Sequence, residues 1–130
     1  MSSPRKVILS PDAPQPVSVY SQAIQSGGLL FLAGQIPLDP LSGELVSGSI
    51  ELETERIMQN LAAVLSAAGA SLQHIVKTTV YLTNMGDFAE FNGAYAKHFP
   101  SAPPARTTVA VAALPRGARI EIEAIAALAG

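Results

Sequence analysis

Apolar residues return along the 130-residue chain in two rhythms, one of three and four positions and one of two, and the changes of rhythm mark the elements. Within residues 50–68, Ile57, Met58, Leu61, Val64, Leu65 and Ala68 follow the helical steps, acids fill the first turn, and Gly69 stands where a C-terminal cap belongs. An amphipathic helix is predicted there. A second helix is predicted over residues 87–98, with Phe88, Phe91, Tyr95 and Phe99 as its inner stripe, ended by Pro100 and the Pro103-Pro104 pair. Ile75–Leu82 is β-branched and reads as a strand ending at Thr83-Asn84. Upstream, residues 17–25 and 29–36 are predicted strands joined through Gly27-Gly28 into a hairpin, with residues 37–44 a loop. Pro4, Pro11, Pro14 and Pro16 keep residues 4–16 out of helix, so that segment is expected to run extended over the surface.

With two further strands near the C-terminus the order is ββαβαββ, which favours an α+β layer: a mixed sheet with both helices packed on one face. The other sheet face must then be buried or polar. A chain of 130 residues is expected to form a single domain spanning 1–130.

Composition narrows the function. The chain is 48% hydrophobic and only 14% charged, too apolar for disorder and too lightly charged for a well-covered small monomer, so self-association is expected. A net charge of −2, 8 Lys plus Arg and 5% aromatics supply neither a basic field nor stacking platforms for nucleic acid. With no cysteine and two isolated histidines, His74 and His98, no metal site is implied. No stretch has the length to span a bilayer and Met1 to Ser10 lacks the apolar run of a signal peptide; a cytoplasmic protein is expected, with organelle import left open.

Candidate chemistry concentrates at residues 103–126. Alternation puts Arg106, Thr108, Ala110 and Ala112 on one face of the fifth strand and Thr107, Val109 and Val111 on the other; in the last strand Glu121 and Glu123 share the face opposite Ile120 and Ile122. A fixed cation, fixed acids and small neighbours suit a small carboxylate-bearing ligand. If residues 115–118 form a direct hairpin, Glu121 falls opposite Ala112 and stands about 20 Å from Arg106 along the ladder. A shared site then needs Arg106 from one subunit and Glu121 from its neighbour. Asn92 lies on the apolar stripe with Phe88 and Tyr95, so it either ties its helix to a neighbouring loop or lines a pocket.

Pro104-Ala105-Arg106, Ala113-Leu114-Pro115 and residues 120–124 (Ile-Glu-Ile-Glu-Ala) resemble the C-terminal signature of the reactive-intermediate deaminase (Rid, or YjgF-like) family. The similarity runs nearly the whole length, through Tyr20-Ser21-Gln22-Ala23, Ala33-Gly34-Gln35-Ile36, Ser42-Gly43-Glu44, Ala67-Ala68-Gly69, residues 76–80 and Asp87-Phe88 with Asn92. The resemblance implies a chorismate-mutase-like α+β fold and a homotrimer with a central barrel, helices outside and clefts between subunits. It implies cofactor-free hydrolysis of enamines and imines, such as 2-aminoacrylate and 2-iminobutanoate, to 2-oxo acids and ammonia. By position, Arg106 is similar to the arginine that clamps the substrate carboxylate, a task that suits a planar guanidinium fork. Glu121 is similar to the acid that activates water and returns a proton to the leaving amine. Tyr20 and Asn92 match cleft residues, Gly34 matches a close backbone approach to the ligand, and Glu123 is expected to be structural. Two departures bear on activity: Val17-Ser18-Val19 replaces the family's Ile-Gly-Pro before the tyrosine, and Thr108 stands where deaminases often carry cysteine.

A reading from another class is a non-catalytic trimer that binds metabolites or partner proteins through the same clefts. Ribonuclease or translation-inhibitor activity has little support from a net-negative chain without a histidine pair. A chorismate mutase needs several cations in one site, and only Arg106 is well placed.

Overall fold

The computed structural model describes residues 4–128; the outermost ends of the expected 1–130 domain lie outside the described residues. Its six strands are β1 (Lys6–Ile8), β2 (Ala23–Ser26), β3 (Leu29–Gln35), β4 (Ile75–Leu82), β5 (Ala105–Ala110) and β6 (Ile120–Ala127), and its helices are α1 (Ile50–Ala67) and α2 (Phe88–Ala96). They form one mixed sheet in the order β1-β2-β3-β6-β4-β5, in which only β4 and β5 run parallel.

Alternation explains the layering. Leu30 and Leu32 of β3, Val80 and Leu82 of β4, and Ile120 and Ile122 of β6 point to one face, where they are buried against Ile57, Leu61, Val64 and Leu65 of α1 and Phe91 of α2. Each such side chain stabilises the fold by about 1.5–3 kcal/mol. Both helices therefore cover the same side of the sheet, as predicted. α1 starts at Ser49, whose hydroxyl accepts from the Leu52 N–H at 3.0 Å, and ends before Gly69, whose φ of +74° needs a residue without Cβ. Glu53, buried in its first turn, is paired with Arg119, which also donates to the Gly48 carbonyl at 2.6 Å. This ion pair locks the start of α1 to the start of β6.

Three details differ from the sequence expectation. The strand predicted over 17–25 shrinks to Ala23–Ser26, because Pro14 and Pro16 offer no N–H to a ladder and the buried Gln22 amide bonds Ser10 and Pro14 instead. Val17 and Val19 are left 89% and 101% exposed. The proline-rich segment is extended, as expected, but does more than run over the surface, since its Lys6–Ile8 pairs with β2 as an edge strand. Nor do β5 and β6 form a hairpin: β4 lies between them. The α2 connection carries the chain from β4 to a parallel β5, as crossovers through a helix do, and residues 111–119 then step over the end of β4. The step uses a single turn at Pro115–Gly117 in which Arg116 takes φ +60°.

Candidate active site

β5 and α2 build the first half of the site. Arg106 pairs with Thr78 of β4, so its side chain rises on the helix face. There its Cζ lies 5.0 Å from the Tyr95 ring centre, 5.4 Å from Phe88 and 5.8 Å from Phe91. Three rings around one guanidinium favour the cation by about 0.5–2 kcal/mol per good contact. Asn92 Oδ1 accepts from Arg106 Nη1 at 2.8 Å, which orients the fork. Asn92 thus lines the pocket rather than tying α2 to a loop. The cradle is itself anchored, because the Tyr95 hydroxyl meets Thr78 Oγ1 at 2.7 Å in a buried contact. Burial pushes the Tyr95 phenol pKa up, against a lowering pull from Thr78 and Arg106. Pro103, Pro104 and Phe99 close the pocket round Arg106. Two residues along the strand, the Thr108 hydroxyl oxygen is shut from solvent and has no hydrogen-bond partner among the described residues.

β3 and β6 build the second half, on the opposite face of the sheet. Glu121 pairs with Tyr81 of β4 and lines a cleft with Tyr20, Gly34, Pro14, Leu38 and Arg116. Its carboxylate lies directly over Gly34, at the irregularity that breaks the β3 register between Leu32 and Gln35. Burial, and secondly the charge of Glu123, push the Glu121 carboxyl above the ordinary glutamate range. Among the described residues no hydrogen bond holds that carboxylate, so it is free to meet water or ligand. The buried Gln22 and Asn60 amides fix the walls: Gln22 holds Ser10 and Pro14, and Asn60 Nδ2 donates to the Leu38 carbonyl at 2.9 Å.

The predicted residues therefore fall into two groups. Arg106, Asn92 and Thr108 share the helix face, while Tyr20, Gly34 and Glu121 share the other cleft. Arg106 and Glu121 stand three ladder positions and two strand spacings apart, about 14 Å between their Cα atoms, with side chains pointing to opposite faces. The earlier spacing of about 20 Å along one hairpin is thus corrected, yet its consequence is stronger: one copy of the chain cannot present both groups to one small molecule. Arg116, in the turn before β6, also reaches the Glu121 cleft, tied to the Gly43 carbonyl at 3.0 Å. Sequence reading missed Tyr81, whose alternation with the acids of the last strand was the available signal.

These features define a small α+β protein with an arginine-bearing pocket and a separate acid-bearing cleft. Residues 10–128 match the family model described as Endoribonuclease L-PSP. The chain is 52% identical to Protein DfrA of Myxococcus xanthus, over 94% of this chain and 95% of that protein. It is 47% identical to the mouse 2-iminobutanoate/2-iminopropanoate deaminase, over 94% and 90%. The crystal structure of a yeast protein, YEO7_yeast, superposes with a TM-score of 0.93 at 44% identity, covering 96% of this chain and 99% of that one. The chain belongs to the endoribonuclease L-PSP family, also called the YjgF/RutC/Rid family. No helix among the described residues is long and apolar enough to cross a membrane.

Proposed function

We propose that this protein is a cofactor-free hydrolase of small 2-imino acids and their enamine tautomers, acting in clefts between the subunits of a homotrimer. The observation that carries the proposal is the division of labour just described: a caged guanidinium on one face and a half-buried carboxylate, without a hydrogen bond among the described residues, on the other. The substrate carboxylate sits on the Arg106 fork, whose N–H groups beyond the one given to Asn92 have no hydrogen-bond partner among the described residues. Glu121 of the adjoining subunit takes a proton from water as its oxygen bonds to the imine carbon, and the C=N electron pair moves to nitrogen. Glu121 passes that proton to the nitrogen, giving the neutral carbinolamine; as this collapses, its O–H electron pair forms the C=O bond, the C–N bond breaks with its pair on nitrogen, and Glu121 carries the hydroxyl proton to the departing amine. The products are a 2-oxo acid and ammonia. Resemblance to a mouse protein named 2-iminobutanoate/2-iminopropanoate deaminase supports the substrate class.

Assembly is supported by the uncovered sheet face, where Leu29 and Phe31 are 40% and 43% exposed beside Ile24 and Ile125 of the neighbouring strands. The test is complementation. Arg106→Ala and Glu121→Gln should each abolish acceleration of imine loss when 2-iminobutanoate is generated in situ, and each should elute at three times the 13.5 kDa chain mass. Co-refolded in equal amounts, the two inactive proteins should regain about a quarter of the wild-type activity, the share of clefts that draw one intact residue from each parent. No regain, or wild-type protein that leaves the imine rate unchanged, overturns the reading; tight retention of 2-oxobutanoate without turnover would instead mark a binding protein.

A further inference from the structure

Tyr81 and Glu123 lie beside Glu121 with a geometry that the proposed reaction does not yet use. Tyr81 is the cross-strand partner of Glu121, while Glu123 stands opposite Thr79, two residues along the same face. The Tyr81 hydroxyl donates to Glu123 Oε1, so the phenol reaches diagonally past Glu121 to hold the second carboxylate in place. Among the described residues Glu121 has no comparable bond. One acid of the pair is pinned and the other is free.

We propose that Tyr81 and Glu123 are positioning residues for Glu121: the phenol fixes the Glu123 carboxylate beside the reacting carboxyl, on the same face of the sheet. The inference rests on the hydrolase reading above. The other charged or titratable groups toward Glu121 are Tyr20 from the N-terminal segment, Arg116 from the turn before β6, and Lys77 of β4. Lys77 is engaged with Thr107 Oγ1 at 2.8 Å and Arg116 with the Gly43 carbonyl, whereas β3 and the facing side of β5 carry no ionisable side chain. Glu123 is therefore the anion placed to act on Glu121. The bond to Glu123 also pushes the Tyr81 phenol up to about 12, so Tyr81 stays a donor across the working pH range. A carboxyl that must take a proton from water and return it to an amine gains from such a neighbour, because its affinity for protons moves toward the pH at which the exchange occurs.

Wild type, Glu123→Gln and Tyr81→Phe, each checked by thermal melting, are compared in two readouts. In carbon NMR of carboxyl-labelled glutamate, the Glu121 resonance, assigned by its loss in Glu121→Gln, should titrate at lower pH in Glu123→Gln, with Tyr81→Phe between that variant and wild type. The pH midpoint of kcat/KM for 2-iminobutanoate should move the same way, with kcat at neutral pH down about tenfold and KM unchanged. An unmoved Glu121 titration in both folded variants overturns the positioning role even where hydrolysis persists, as does a fall in kcat with no movement of either midpoint. A moved titration in a protein that hydrolyses no imine supports the coupling and counts against the hydrolase reading alone.

Discussion

Replacing Gly34 by alanine puts a methyl group where the Glu121 carboxylate stands. An ideal Cβ on the Gly34 backbone would lie 2.8 Å from Glu121 Cδ and 3.0 Å from its Cγ, whereas non-bonded carbons rest about 3.5–4.0 Å apart. The carboxylate must shift by roughly 1 Å. What yields is the far end of a side chain rather than backbone, and the Gly34 φ lies outside the left-handed region. Folding stability should therefore change by no more than about 1 kcal/mol. Catalysis is less forgiving, because a displacement of about 1 Å at a reacting group costs on the order of a hundredfold. Gly34→Ala should melt close to wild type and lose about a hundredfold in kcat for 2-iminobutanoate hydrolysis, with KM, governed by Arg106, little changed. Rates are read as 2-oxobutanoate formed above the spontaneous background. A folded variant within threefold of wild type (about 0.6 kcal/mol) would remove Glu121 from the reaction. A variant that no longer folds would also refute the reasoning, since it would place the strain in the backbone.

Two further outcomes follow from the same geometry. Arg119→Met strands the Glu53 carboxylate, whose side chain is 5% exposed, and should destabilise the fold by about 2–4 kcal/mol in urea titration, most of it recovered by adding Glu53→Met; an unchanged urea midpoint would show the pair to be dispensable. Tyr81, raised from 10.0 to about 12, binds its proton more tightly folded than unfolded, so its contribution to stability is complete below pH 10 and is lost as pH rises through about 12. A phenolate absorbance step near pH 12 should accordingly be lost in Tyr81→Phe, and its persistence would reject the Tyr81–Glu123 bond.

Where periodicity governs burial, the sequence was readable. Ile57 to Leu65 and Ile75 to Leu82 sit as their spacing predicts, and Arg106, Thr108 and Glu121 face the sides that alternation assigned. Legibility ended where long-range pairing competes with local signals. Val17–Tyr20 has strand-forming residues, yet its fate was set by the Gln22 amide reaching back to Ser10 and Pro14, a tertiary bond with no periodic trace. Pro115-Arg116-Gly117 reads as a hairpin turn, and only the insertion of β4 turns it into a step between non-adjacent strands. The aromatic stripe of α2 reads as core, and Phe91 is core, but the same rings also form the cradle of Arg106.

That insertion also alters what the fold asks of its assembly. In a β5–β6 hairpin, Arg106 and Glu121 would lie far apart along one ladder, and a longer side chain or a bent strand could in principle shorten the gap. With β4 between them and opposite faces in use, no local adjustment can, because a side chain cannot pass through a hydrogen-bonded sheet. If Arg106 and Glu121 act on one small molecule, as proposed, a second copy has to bring them together, approaching the Glu121 face of the first. That face is the one where Leu29, Phe31 and Val109 remain partly exposed. In the proposed trimer one contact would both cover these residues and complete the cleft, so a variant that blocks association, such as Phe31→Glu, should lose activity even though it touches neither Arg106 nor Glu121.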